Sequence, residues 1–369
     1  MNSFCRFLSN SISVLKTNKG YNIIPCCTYR TEHIVPDLSP ENIQKARAQF
    51  KDISDWTPGC EECRFLESQR ISNPRQFESP EYQSPRNTST SLLKGDDDSI
   101  QNIEIMMHNV CESACMSCTS YSSSGWHKEL KKLNILAEHD PYMFDQNELA
   151  KLLSNDLSNV KRAKFWGGEP FINELHIQFI EAIPNKKDCS LMYTVSGARL
   201  PSSKALDLFK EFKQVQVLLS CDGIEKQFEY LRWPIKWDQF VSNILELRET
   251  MPSTVYFDFY CTLNPLNAFY VDTIEKWIRE HFNENKFGVV SKLWIGPAVR
   301  TDLGIDNTPK ELVNTILSGD STVDEQEKRI LAGVTGFNYQ TAVDYCDQWD
   351  KVRNLNWREV FPEIVEYFV

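Results

Sequence analysis

Residues 103–118 read Ile103-Glu-Ile-Met-Met-His-Asn-Val-Cys111-Glu-Ser-Ala-Cys115-Met-Ser-Cys118. The opening five form a short β-rich run, and the polar turn after it carries three cysteines spaced C-x3-C-x2-C. Further β-rich runs follow at Ala163 to Trp166, Ser190 to Val195, Val215 to Ser220, Val255 to Thr262 and Lys292 to Ile295. Between them, Asn173 to Ile183, Ser202 to Phe212, Trp237 to Glu249 and Asp272 to Phe282 carry apolar residues three and four apart, which predicts amphipathic helices. Strand then helix, repeated, is the pattern of a parallel sheet. Six strand-helix units are too few for a closed eight-stranded barrel. The expected fold is therefore α/β, a partial, open (β/α)6 barrel whose active face is the C-terminal ends of its strands.

The flanks of this block differ from it. Residues 1–67 contain Cys5, Cys26, Cys27, Cys60 and Cys63, with a predicted helix from Pro40 to Phe50 and a closing Cys60-Glu-Glu-Cys63 knuckle, and read as a small cysteine-rich metal-binding segment. Residues 68–99 are rich in Ser, Pro, Asn, Gln and Asp, end in Lys94-Gly-Asp-Asp-Asp98, and read as an exposed linker. The barrel then occupies 100–304. A C-terminal extension, 305–369, predicts helices at Pro309 to Leu317, Asp324 to Leu331 and Trp357 to Val369.

A formal charge of −11 argues against a broad footprint on nucleic acid or anionic lipid and favours a peptide or small-molecule partner. No apolar run approaches the roughly 20 residues of a membrane-spanning helix, so a cytoplasmic protein is expected. Residues 1–31 hold Arg6, Lys16, Lys19 and Arg30 and no acidic residue, which leaves an organelle transit segment as the alternative. Twelve cysteines without an export signal point to metal more than to disulfides. Cys189, Cys221, Cys261 and Cys346 stand alone among apolar residues and read as small core side chains. The aromatic group Phe228, Tyr230, Trp233 and Trp237 reads as core, with a substrate cleft as the alternative. In the Cys111–Cys118 loop, three thiolates can occupy three irons of a cubane cluster and leave the fourth iron open. A structural zinc site, which normally closes its tetrahedron with four protein ligands, is the alternative.

A C-x3-C-x2-C loop directly after the first barrel strand resembles the hallmark of the radical S-adenosylmethionine superfamily. The second strand ends in Trp166-Gly-Gly-Glu-Pro170, similar to that family's glycine-glycine-glutamate-proline loop. By this resemblance Gly167, Gly168, Glu169 and Pro170 bind the cofactor, with Glu169 accepting from its ammonium. Ser220-Cys-Asp222-Gly resembles the family's serine-x-aspartate-glycine segment, which implies that Ser220 and Asp222 meet the ribose hydroxyls. Arg232 is then placed to pair with the cofactor carboxylate, a surface arginine being the plainer reading. Ser196 is a further polar candidate, although Ser196-Gly-Ala-Arg199 departs from the family's Thr-Asn-Gly pattern, and Ser117 stands where many relatives have an aromatic residue.

Cys5, Gly20, Cys26, Cys60 and Cys63 are similar to the auxiliary-cluster segments called SPASM or twitch domains, although these usually follow the barrel. The resemblance implies a second [4Fe-4S] cluster on Cys5, Cys26, Cys60 and Cys63, with Cys27 spare; a four-thiolate zinc knuckle is the alternative. It further implies an oxidoreductase in which a reduced cluster on Cys111, Cys115 and Cys118 cleaves S-adenosylmethionine. The resulting 5′-deoxyadenosyl radical then abstracts hydrogen from a substrate, with a flavodoxin or ferredoxin as electron donor. Relatives with auxiliary segments commonly modify peptides, so a peptide or protein side chain is the expected substrate. A radical enzyme acting on a small metabolite and a non-catalytic zinc-binding interaction protein are the competing readings.

Overall fold

A computed structural model of the chain describes residues 5–51, 53, 55–56, 58–68, 99–282, 291–298, 302–318, 325–334 and 338–369. The expected linker, with its Asp96 to Asp98 run, lies outside the described residues except at its two ends. The strands are β1 (Ser11–Thr17), β2 (Gly20–Ile24), β3 (Ile34–Val35), β4 (Asn102–Met106), β5 (Arg162–Phe165), β6 (Ser190–Val195), β7 (Gln214–Ser220), β8 (Val255–Leu263) and β9 (Leu293–Pro297). Their order is β3-β2-β1-β4-β5-β6-β7-β8-β9, an open ladder that does not close. The fold is thus α/β with a mostly parallel, unclosed sheet, and β4 to β9 fall on the six expected runs. The N-terminal segment is more than a metal-binding appendage, because it supplies β1, β2 and β3.

The chain divides into two compact units, one of Met1–Asn109, Tyr142–Thr194 and Pro201–Gln216, the other of Val110–Pro141, Val195–Leu200 and Val217–Val369. In the first unit β1, β4, β5 and β6 run parallel, while β2 returns antiparallel to β1 and β3 antiparallel to β2. Two-residue alternation sorts the side chains into rows. Ile12, Ile103, Ala163 and Leu191 stand in one cross-strand register, and Val14, Ile105, Phe165 and Tyr193 in the next; all eight are buried. Each large member of such a row contributes about 1.5–3 kcal/mol when fully buried.

The alternate positions are mostly polar: Ser11, Asn102, Arg162 and Ser190 in one row, Ser13, Glu104 and Lys164 in the next. Glu104 of β4 is buried yet paired with Arg162 at 3.2 Å, and Lys164 Nζ lies 3.9 Å from the same carboxylate. Burial opposes its ionisation, but Lys164 and Arg162 outweigh burial and hold its carboxyl below the usual range.

In the second unit β8 and β9 run parallel in the register Phe259–Leu293 to Leu263–Pro297. Helix Trp237–Thr250 buries Phe240, Ile244 and Leu247, and helix Val271–Phe282 buries Ile274, Ile278 and Phe282, the three- and four-residue spacing legible in the sequence. The C-terminal extension is helical at Lys310–Ser318, Glu325–Ala332, Tyr339–Arg353 and Trp357–Val360, followed by a 3-10 stretch. Cys221, Cys261 and Cys346 are buried as expected here, and Cys189 in the first unit. Phe228 and Tyr230 are core, with Phe228 packed edge-on against Trp237.

Candidate functional site

The loop that follows β4 is fixed from several directions within the second unit. Ala114 N–H donates to Trp233 O and Met116 N–H to Leu231 O, both at 2.8 Å, so the loop backbone is stitched to the end of helix Glu225–Leu231. Ser124 Oγ accepts from Cys111 N–H at 3.1 Å and donates to Cys111 O at 3.2 Å. Ser123 Oγ donates to Ser113 O, and Gly125 starts helix Gly125–Lys132 so near the loop that an added Cβ would lie 2.3 Å from Ser113 O. From the C-terminal side, Tyr345 OH donates to Met116 O at 3.1 Å and Arg353 Nη2 to Ala114 O at 2.9 Å. Sequence reading missed Ser123, Ser124, Tyr345 and Arg353.

Cys115 is buried, and Cys111 and Cys118 are half-buried. Burial, then the charges of Cys115 and Cys111, push the Cys118 thiol up to about 12. Thiolates at Cys111, Cys115 and Cys118 would need cationic compensation, which a bound metal centre supplies.

Arg232 belongs to this site. It follows Leu231, between the two carbonyls that hold the loop, and is 9% exposed, which removes the surface-arginine reading. Its Nη1 lies 3.1 Å from Asp222 Oδ2, and Asp222 Oδ1 accepts from Thr262 N–H at 2.7 Å. Asp222 is 0% exposed, and its carboxylate holds Arg232 through one oxygen and Thr262 N–H through the other. Ser220, at the end of β7, is buried. Ser196 Oγ accepts from Ala198 N–H at 3.2 Å and thereby shapes its own turn.

The Gly167–Pro170 turn belongs to the first unit. Gly167 and Gly168 have φ of +76° and +61°, the left-handed region that favours glycine, and a Cβ on Gly167 would lie 2.0 Å from Met106 Sδ. Glu169 is 0% exposed, and its Oε1 accepts from Phe171 N–H at 3.4 Å, capping the 3-10 turn Pro170–Ile172. Gly167, Gly168, Glu169 and Pro170 thus form one tight turn directly after β5.

The N-terminal cysteines converge in the first unit. Cys5, Cys26, Cys60 and Cys63 line one small pocket, with Leu8 and Tyr29 among its apolar walls. Thr28 Oγ1 lies 3.2 Å from Cys26 Sγ and 3.8 Å from Cys63 Sγ. The expected knuckle is the first turn of helix Glu61–Ser68, which Gly59 and Arg30 tie back through a 3.0 Å backbone hydrogen bond. Burial, then Cys63 and Cys60, push the Cys5 thiol up to about 12. Cys27 points elsewhere, 3.9 Å from Lys164 Nζ. None of the twelve cysteines is in a disulfide. Among the described residues, no three His, Cys, Asp or Glu side chains are gathered as ligands of a single metal ion.

No family model matches the chain, and no curated protein does. Solved structures do. Native anSMEcpe with bound AdoMet and a peptide is similar at 17% identity and a TM-score of 0.39, over 53% of this chain and 51% of that one. Native anSMEcpe with bound AdoMet is similar at 16% identity and 0.41, over 59% and 58%. Streptococcus suis SuiB bound to its precursor peptide SuiA is similar at 12% identity and 0.40, over 91% and 59%. The chain therefore spans a little over half the length of these structures. No described helix is long and apolar enough to cross a membrane.

Proposed function

We propose that the chain is a cytoplasmic radical S-adenosylmethionine enzyme that modifies a peptide or protein side chain. The observation that carries the reading is the Cys111–Cys118 loop, whose backbone is held by the carbonyls of Leu231 and Trp233 on either side of the buried Arg232. Cys111, Cys115 and Cys118 would hold a [4Fe-4S] cluster, and Cys5, Cys26, Cys60 and Cys63 a second one in the pocket they line. When bound, the first cluster with S-adenosylmethionine supplies one-electron cleavage of the cofactor's sulfur–carbon bond and so a 5′-deoxyadenosyl radical.

The chain's own residues prepare for this in three ways. Asp222 fixes Arg232, whose planar guanidinium matches a cofactor carboxylate. Gly167 and Gly168 offer backbone without side chains, which lets a ligand approach closely. Apolar side chains such as Phe7, Leu8 and Tyr29 wall the pocket that Cys5, Cys26, Cys60 and Cys63 line. A low-potential donor such as flavodoxin or ferredoxin would supply the electron.

Anaerobic purification with iron and sulfide quantified, then dithionite reduction and assay for 5′-deoxyadenosine, tests the reading. About eight irons with cofactor cleavage are expected for two [4Fe-4S] clusters. Zinc without cleavage, after attempted cluster reconstitution, would overturn it in favour of a metal-binding module, and a copurifying small metabolite in place of peptide would overturn the substrate class.

A further inference from the structure

The C-terminal extension reaches the cysteine loop through one buried cation. Arg353 ends helix Tyr339–Arg353, and its side chain is 1% exposed. The guanidinium works in three directions: Nη2 donates to Ala114 O at 2.9 Å, Nη1 to Met116 Sδ at 3.1 Å, and Nε to Glu129 Oε2 at 2.9 Å. Around it stand the rings of Trp126, Trp349 and Trp233, with centroids 5.1, 5.2 and 5.7 Å from Cζ. Two of its hydrogen-bond acceptors flank Cys115 in sequence.

We propose that Arg353 is a positioning residue for the Cys111–Cys118 loop: it fixes the loop backbone and sets a buried positive charge beside the cluster these thiols hold. The second half rests on the cluster reading above; the first does not. Glu129 does not cancel the charge, since Lys132 Nζ shares that carboxylate at 2.7 Å, leaving one net positive charge in the Arg353–Glu129–Lys132 group. Arg353 and Glu129 are buried while Lys132 is half exposed, so it is the guanidinium of Arg353, the cation that faces the loop, that is weakly screened there. A cluster gains negative charge on reduction, so a fixed cation favours its reduced form and raises its potential. Lysine cannot replace this arginine in full, because only the planar fork reaches a carbonyl, a sulfur and a carboxylate together.

Two measurements on the full chain test the proposal. In metal-free protein, maleimide labelling of Cys111, Cys115 and Cys118 is read by peptide mass spectrometry, with Cys60 and Cys63 as internal reference. Arg353→Met and Arg353→Lys should each label the loop about tenfold faster, the effect of a lost charge-assisted hydrogen bond, with the reference unchanged. In cluster-loaded protein, an EPR-monitored redox titration follows the signal that changes when S-adenosylmethionine is added. Arg353→Met should move that midpoint to more negative potential and the near-isosteric Glu129→Gln to more positive, with Arg353→Lys between wild type and Arg353→Met. Unchanged loop labelling overturns the positioning claim. An unmoved midpoint in Glu129→Gln overturns the charge claim even if Arg353→Met fails to fold. A wild-type chain that takes up no iron yet shows Arg353-dependent labelling overturns the cluster reading and supports the loop role.

Discussion

The two cysteine sites solve the same problem in opposite ways. Cys111, Cys115 and Cys118 lie within eight residues, and hydrogen bonds from Ser123, Ser124, Tyr345 and Arg353, with the carbonyls of Leu231 and Trp233, fix the loop between them. Cys5, Cys26, Cys60 and Cys63 come from separate segments and are brought together by apolar packing, with Thr28 as the polar neighbour of two of them. A short loop is intrinsically free to move and has to be tied by polar contacts. A site assembled from distant segments inherits its rigidity from the core that assembles it. The first should therefore be sensitive to single hydrogen bonds and the second to changes in packing.

The largest effect separates the sites by chemistry. Cys115→Ala should abolish 5′-deoxyadenosine formation while the chain stays soluble, whereas Cys63→Ala should keep cofactor cleavage, lose about four irons and impair substrate turnover. Full turnover in Cys63→Ala would remove the auxiliary cluster from the comparison. Next, Ser124→Ala deletes both bonds to Cys111 and should cost about 1–2 kcal/mol of local stability, read as faster iron loss to a chelator from the first site alone. Equal loss from both sites would break the contrast.

The smallest effect concerns the scaffold of the first unit. His176 is buried, 3.0 Å from Tyr193 OH, and burial, then the charge of His108, depress its pKa to about 3. A base with a depressed folded pKa is neutral in the fold and gains a proton on unfolding. Its contribution is complete above the unfolded value of 6.5 and is lost as pH falls below it. Between pH 7 and pH 5 wild type should lose about 2 kcal/mol through this group, and His176→Phe should lose correspondingly less. Parallel pH profiles of urea midpoints in the two proteins would show that His176 does not titrate with unfolding.

What was legible in the sequence was local. The strands β4 to β9 and four of the helices between them follow from β-rich runs and three- to four-residue spacing, and the cysteine loop from eight consecutive residues, whereas helices Gly125–Lys132 and Gln146–Leu153 were not anticipated. The strand in Ser11-Ile-Ser-Val-Leu-Lys-Thr17 was hidden because its nearest signal was the cysteines around it, and because half its side chains answer the polar row of Glu104 and Asn102. The pairing of Asp222 with Arg232 was not legible, because it is set in part by Thr262 N–H, 40 residues from Asp222. Arg353 lies 239 residues from Ala114, and no spacing rule joins positions so distant.

The parallel pairing of Ser11–Leu15 with Asn102–Met106 has a practical consequence for anyone trimming this chain. A protein shortened to begin at residue 100 would keep every barrel strand and still be compromised. One margin of β4 would offer a row of unanswered amides and carbonyls, flanked by Ile103 and Ile105, to the next molecule it met. The N-terminal segment thus acts as insulation for the sheet, and its removal would invite self-association before any question of catalysis arose.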